Sequence, residues 1–159
     1  MEFTEIYNAY SDKIYRVCLG FVNDPDKAKD LTQETFITVL QNLDLFRKES
    51  KISTWMYRIA TNKCLRDIEN EKRIKKTDFP KDIENKITEN EHQEEKLIFL
   101  RNCVSELPEI DRIIITLFME DMPQDEIAEV TGLTHANIRV KVHRIKERLF
   151  KKFKEHGKL

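Results

Sequence analysis

Glycine and proline are scarce in this chain of 159 residues, with 3 and 4 copies, and tryptophan occurs once. So little turn material, with charged residues at 36% and abundant Leu, Ile, Lys and Glu, favours helix throughout. There is no glycine-rich phosphate loop, and no serine sits in a G-x-S-x-G elbow. Cys18, Cys64 and Cys103 are far apart, odd in number and free of CxxC spacing, so they read as reduced core residues. His92, His135, His143 and His156 form no zinc-ligand pattern, and no metal or other cofactor is expected. The N-terminus, MEFTEIYNAY, has no basic segment followed by an apolar run, and no stretch approaches a membrane span. These absences predict a soluble, cytoplasmic protein without membrane contact. A large charge of one sign is also missing, since the formal net charge is −1.

What is present is concentrated between Gln124 and Arg148, QDEIAEVTGLTHANIRVKVHRIKER. Ile127 and Ala128 fall on the inner face of one short helix. Gly132 can take the positive φ of a tight turn, and Thr134 is placed to cap a second helix. Ile138 and Val142 give that helix a buried face. The pattern is a helix-turn-helix, whose second helix lies in the DNA major groove. Nine basic side chains, Arg139, Lys141, Arg144, Lys146, Arg148, Lys151, Lys152, Lys154 and Lys158, follow Thr134 against only Glu147 and Glu155. A local charge near +7 on a neutral chain suits phosphate binding. The plainer alternative is a helical hairpin with a solvated basic face.

Taken in order, Phe3, Ile6, Tyr7, Tyr10, Ile14, Val17, Cys18 and Phe21 fall at three- and four-residue steps, predicting a helix over 3–22. Asp24-Pro25 then opens a second helix to Asn42. Ala28, Leu31, Thr35 and Val39 mark one of its faces, and Asp30, Gln33, Glu34 and Ile37 lie nearer the other. That second face is either ordinary solvated surface or a docking surface for a partner. The pattern breaks over Leu43–Trp55 and resumes with WMYRIATNKCLRDIENEKR. Tyr57, Arg58, Asn62, Lys63 and Arg66 beside a short irregular loop could hold a single strand by stacking and phosphate contact. Trp55 is expected to be a core aromatic. Asn62 would be a poor buried residue without a hydrogen-bond partner. Polar sequence from about Ile74 to Glu95 marks a domain boundary. Leu97, Leu100, Val104 and Leu107 then mark the inward face of another helix, and Pro108 starts the next, with Ile110, Ile113, Ile114, Leu117 and Phe118 inward.

DLTQETF (Asp30 to Phe36), LDLFRKESKISTWMYRIATNKCLRD (Leu43 to Asp67), ELPEIDR (Glu106 to Arg112) and DEIAEVTGLTHANIRVKVHRIKERL (Asp125 to Leu149) occur in that order. The set resembles bacterial RNA polymerase sigma-70 family factors of the ECF (extracytoplasmic function) group, over nearly the whole chain. The resemblance implies an all-α fold of two small helical domains, region 2 over 1–75 and region 4 over 96–159, joined by a flexible linker, 76–95. It implies that Asp30, Leu31, Gln33 and Glu34 dock on the β′ clamp of core RNA polymerase. It assigns −10 promoter contacts to Phe46, Arg47, Lys48, Ser50, Ile52, Ser53, Tyr57, Arg58 and Asn62. It assigns −35 contacts to Thr134, Asn137, Arg139, Val140, Lys141, His143 and Arg144. Core polymerase, through its β′ clamp and β flap, and promoter DNA are the implied partners, and a separate anti-sigma factor is a further candidate. The −10 loop of the family often reads FRGxSxF. Here Lys48 stands at the glycine and Ile52 at the second aromatic, while Val140 and His143 replace commoner polar or aromatic residues, so promoter sequences are not transferred.

Two other classes stand beside this reading. A helix-turn-helix regulator acting without polymerase would bind an operator alone. A helical enzyme would need carboxylates gathered from distant segments, and the expectation is no catalysis.

Overall fold

The acidic and amide residues that punctuate the chain set its helix ends. The computed structural model describes residues 2–75 and 93–156. Most of the expected linker, with His92 and Lys158, lies outside them. Helix α1 spans Phe3–Val22, α2 Pro25–Asn42, α3 Ile52–Lys75, α4 Gln93–Ser105, α5 Glu109–Met119, α6 Gln124–Thr131 and α7 His135–His156. A short 3₁₀ turn, Leu43–Leu45, follows α2. No strand occurs among the described residues.

Helix α1 stops where Asn23 enters the left-handed region at φ 50°, its N–H donating to the Leu19 carbonyl at 2.9 Å. The next residue starts α2. The Asp24 carboxylate accepts from the amides of Asp26 and Lys27 at 3.0 and 3.3 Å, and Pro25 fills the first helical position. α1, α2 and α3 then pack as a three-helix unit around Ile14, Val17, Phe21, Val39, Met56 and Ala60. Two buried hydroxyls on α2 are satisfied within the helix, Thr32 donating to the Ala28 carbonyl and Thr35 to that of Leu31. Cys18, Cys64 and Cys103 are buried free thiols, as expected. A hydrogen bond to Cys18 and burial push the Cys64 thiol well up, so it stays protonated.

In the second half α5 is central. Its Ile113, Ile114, Ile115 and Leu117 are buried, and α4, α6 and α7 all pack on it. Pro108 sits one residue outside α5, as its N-cap. One expectation is corrected here. Leu97 is 57% exposed and Leu100 half-buried, whereas Val104 and Leu107 are buried. Burial on α4 grows toward its C-terminus, where α1, α5 and α7 meet it, and its first turns extend beyond that packing.

The two helical domains also touch. α1 packs on α4 and α5, and α3 packs on α6. Gly20 permits the closest approach: a Cβ there would lie 2.7 Å from Thr116 Cγ2 on α5.

Candidate nucleic-acid and polymerase interfaces

Helical spacing sorts the residues of α2 into two faces. Asp30, Gln33 and Glu34 are exposed, whereas Leu31 is 5% exposed and turned into the core. Ile37 and Leu40, at 54% and 55%, project on the same side as Gln33 and Glu34. Large aliphatics left open beside carboxylates are unlike a plainly solvated face.

The irregular loop after α2 is organised by an aromatic pair. The Phe46 and Trp55 rings lie 5.0 Å apart and 33° from parallel. Trp55 is half-buried, so it both closes the core and lines the surface. Lys48 has φ 58°, the left-handed conformation in which glycine costs least, which accounts for glycine being common there in the resembled pattern. Phe46, Arg47, Ser50, Trp55 and Arg58 line an open cleft of about 440 Å³. Ile52 and Ser53, in the first turn of α3, are half-buried beside it. Tyr57 is nearly buried, and burial, with the Glu120 carboxylate second, pushes its phenol up to about 12. Asn62 is exposed, so it has no burial to compensate. It shares a polar stripe with Arg58 and Arg66 at four-residue spacing.

The second site is built on the turn between α6 and α7. Gly132 takes φ 77° and its N–H closes α6 on the Ala128 carbonyl at 2.9 Å. The Thr134 hydroxyl accepts from the Asn137 amide at 3.2 Å, capping α7. Ile138, Val142, Ile145 and Leu149 anchor one face of α7. The periodicity therefore presents Arg139, Val140, His143 and Arg144 outward, all exposed. Lys141 is turned aside, its Nζ 3.2 Å from Asp111 Oδ1 on α5. His143 Nε2 lies 3.2 Å from Glu147, one turn on. Helices α5 and α6 carry carboxylates in their first turns, but α7 carries none. The positive end of α7 is thus left for an external anion.

Two features were not found from sequence. Phe118 and Met119 of α5 with Phe150 and Phe153 of α7 form an apolar groove of about 580 Å³, Lys146 Nζ lying 4.3 Å from the Phe118 ring centre. Phe150 and Phe153, three apart in a basic run, were its only trace. The second is a set of polar contacts between the domains. Arg16 grips Glu120 through two hydrogen bonds of 2.8 and 2.9 Å, Lys51 Nζ meets Glu126 at 2.5 Å, and Lys72 pairs with Glu109. Their partners lie 104, 75 and 37 positions away, beyond any local pattern.

No group of three or more potential metal ligands occurs among the described residues, and no described helix is long and apolar enough to cross a membrane.

Known proteins share this arrangement. Residues 6–74 match the family model for Sigma-70 region 2, and residues 100–149 match that for Sigma-70, region 4. The ECF RNA polymerase sigma factor SigW of Bacillus subtilis is 30% identical over 171 residues, covering 96% of this chain and 89% of that protein. SigM of the same organism is 27% identical over 94% of this chain and 93% of its own. In three dimensions, the sigma factor RpoE of Bartonella quintana, solved with the anti-sigma factor NepR, superposes with a TM-score of 0.82, at 19% identity over 96% of both chains. CnrH, solved with the cytosolic domain of CnrY, gives 0.74, at 19% identity over 96% of this chain and 88% of its own. With both region models matched in order and a relative at this identity aligned nearly end to end, the chain belongs to the ECF group of the sigma-70 family of bacterial RNA polymerase factors.

Proposed function

We propose that the two halves divide the work of promoter-specific initiation, residues 1–75 binding core polymerase and the −10 element, and residues 96–159 reading the −35 element, with 76–95 as tether. The observation that supports this division is the presence of two unlike exposed faces in one chain, the outward basic face of α7 and an aromatic-lined cleft beside α3. The outward residues of α7 suit a major groove, and the Phe46–Trp55 cleft beside Arg58 and Asn62 suits an unpaired base. Arg139, Val140, His143 and Arg144 face base edges and phosphates, while the amides of the Thr134 turn hold a phosphate. Lys141, engaged with Asp111, steadies α7 instead. In the −10 site the aromatic pair receives a flipped base, and Arg47, Lys48, Ser50 and Arg58 meet the strand around it. Unstacking that base costs a few kcal/mol, offset by contacts in the cleft.

Asp30, Gln33 and Glu34, with Ile37 and Leu40, form the face for the β′ clamp, and buried Leu31 supports it from beneath. The apolar groove between α5 and α7 suits an amphipathic segment such as one from the β flap. Attachment at two points raises the effective concentration of both DNA-reading faces, so neither domain needs high affinity alone. The factor works in the cytoplasm beside polymerase and supplies no catalysis. A separate anti-sigma protein fits as a further partner, since the RpoE neighbour was solved with one.

Run-off transcription with core enzyme on genomic fragments tests the reading, and gives the promoter sequence. The Gln33→Ala/Glu34→Ala double variant should lose about tenfold in polymerase affinity, the scale of one good charged contact, with an unchanged helical spectrum. Operator binding at full strength by a chain that never joins polymerase would overturn the proposal.

A further inference from the structure

The face that α7 turns to solvent is polar except at its middle. Val140 stands two residues from Ile138 and two from Val142, and two residues of α-helix are about 200° of turn. It therefore points almost opposite to both of these buried anchors and lies at the centre of the outward face, 47% exposed. Ala136, also exposed, stands one turn before it on the same line. Asn137, Arg139, His143 and Arg144 surround the two with hydrogen-bonding groups.

An exposed valine is ordinary by itself. What sets this one apart is its place. A recognition helix in a major groove brings the centre of the outward face of its first turns closest to the base edges, and its flanks to the phosphates. The neighbours with long side chains leave that centre clear. Lys141 is drawn aside to Asp111 on α5, and His143 Nε2 is turned toward Glu147 Oε1 at 3.2 Å, one turn further on.

An isopropyl group neither donates nor accepts a hydrogen bond. Pressed on the major-groove edge of guanine, adenine or cytosine, it strips water from N7, O6, N6 or N4 and returns no partner. The C5-methyl of thymine is the one apolar group on those edges. We infer that Val140, with Ala136 beside it, selects a T·A pair within the −35 element by packing on the thymine methyl. The inference rests on the −35 assignment made above and adds to it a base and the side chain that reads it. It also divides the work of the face: the apolar centre supplies selectivity, and the cations around it supply attraction to the phosphates. A methyl contact releases no counterions, so its contribution is independent of salt, unlike theirs.

The test removes that methyl and nothing else. Holoenzyme reconstituted from the full-length chain and core polymerase is bound to duplexes carrying the strongest promoter found by run-off transcription. Each thymine of the −35 segment, on either strand, is replaced in turn by deoxyuridine. One replacement should weaken wild-type binding about fourfold, the effect of returning one buried methyl group to water, and by the same factor at low and at high salt. Val140→Ala should bind the unmodified duplex about fourfold more weakly and lose nothing more on that deoxyuridine duplex. Alanine is the better helix former, so this variant keeps its helical spectrum. Full wild-type affinity on every deoxyuridine duplex would overturn the inference, and so would a loss that persists unchanged in Val140→Ala. Failure of the −35 assignment looks different: base-pair transversions throughout the segment would then leave holoenzyme binding unchanged, and the thymine contact would fall with it.

Discussion

Helices α3 and α7 both present cations to solvent at helical spacing, yet they differ in what those cations touch. On α7, Arg139 and Arg144 are exposed and have no ion pair among the described residues. Around α3, Lys51, Arg58 and Lys72 each meet a group of the opposite domain. The proposed −35 face on α7 is therefore open, whereas cations around α3 are engaged by the opposite domain.

The largest effect should come from removing what holds the open helix in place. Ile138 is fully buried beneath α7. Ile138→Ala should lower the stability of the second domain by about 2–5 kcal/mol through lost burial and the cavity left behind. Urea denaturation followed by circular dichroism would show it as an earlier midpoint, and duplex binding should fall with it. A shift below about 0.5 kcal/mol, the scale of an ordinary surface substitution, would mean that α7 is held from elsewhere.

That anchor was legible in sequence because the signals that set it are local. Gly132 needs only its own φ, Thr134 reaches only to Asn137, and Ile138 and Val142 are one turn apart. Asp24-Pro25 at the start of α2 is of the same kind. Leu97 was misplaced because apolar spacing gives the phase of a helix and not how far along it the packing extends. Asn62, a poor residue for a buried position without a hydrogen-bond partner, lies on a stripe that faces solvent. The seam between the domains was illegible for a stronger reason. One lysine or glutamate names no partner, and Arg16 and Glu120 are brought together only after two separate bundles have formed and docked. The apolar groove behind α7 needed α5 and α7 side by side before Phe118 and Phe150 could be seen as one surface.

The next effect is on recognition by the open helix. Arg144→Ala should weaken binding to a −35 duplex by about 1–3 kcal/mol if the guanidinium is bidentate to a base. The measurement is a competition series over single-base changes, in the context of holoenzyme. Loss confined to one position gives Arg144 a base. Equal loss on every sequence gives it a phosphate, and the open face of α7 would then contribute affinity through Arg144 without selectivity.

The smallest effect bears on the contact between the two domains. Arg16 and Glu120 make a bidentate pair across the seam, but the Arg16 side chain is 52% exposed and that of Glu120 only 12%. A double-mutant cycle on the free protein should give a coupling of about 0.5–1 kcal/mol, since solvent screens a pair of this kind. The single substitutions should be unequal. Glu120→Ala releases an arginine that water already reaches, whereas Arg16→Ala leaves a carboxylate poorly hydrated, so the second should cost more. The same cycle on affinity for core polymerase gives the converse reading. If the domains part on binding, each single variant and the double variant bind polymerase slightly more tightly than the wild type, by the stability that the seam has lost. Equal polymerase affinity across all four proteins, with the coupling present in the free state, would place Arg16 and Glu120 still together in the holoenzyme.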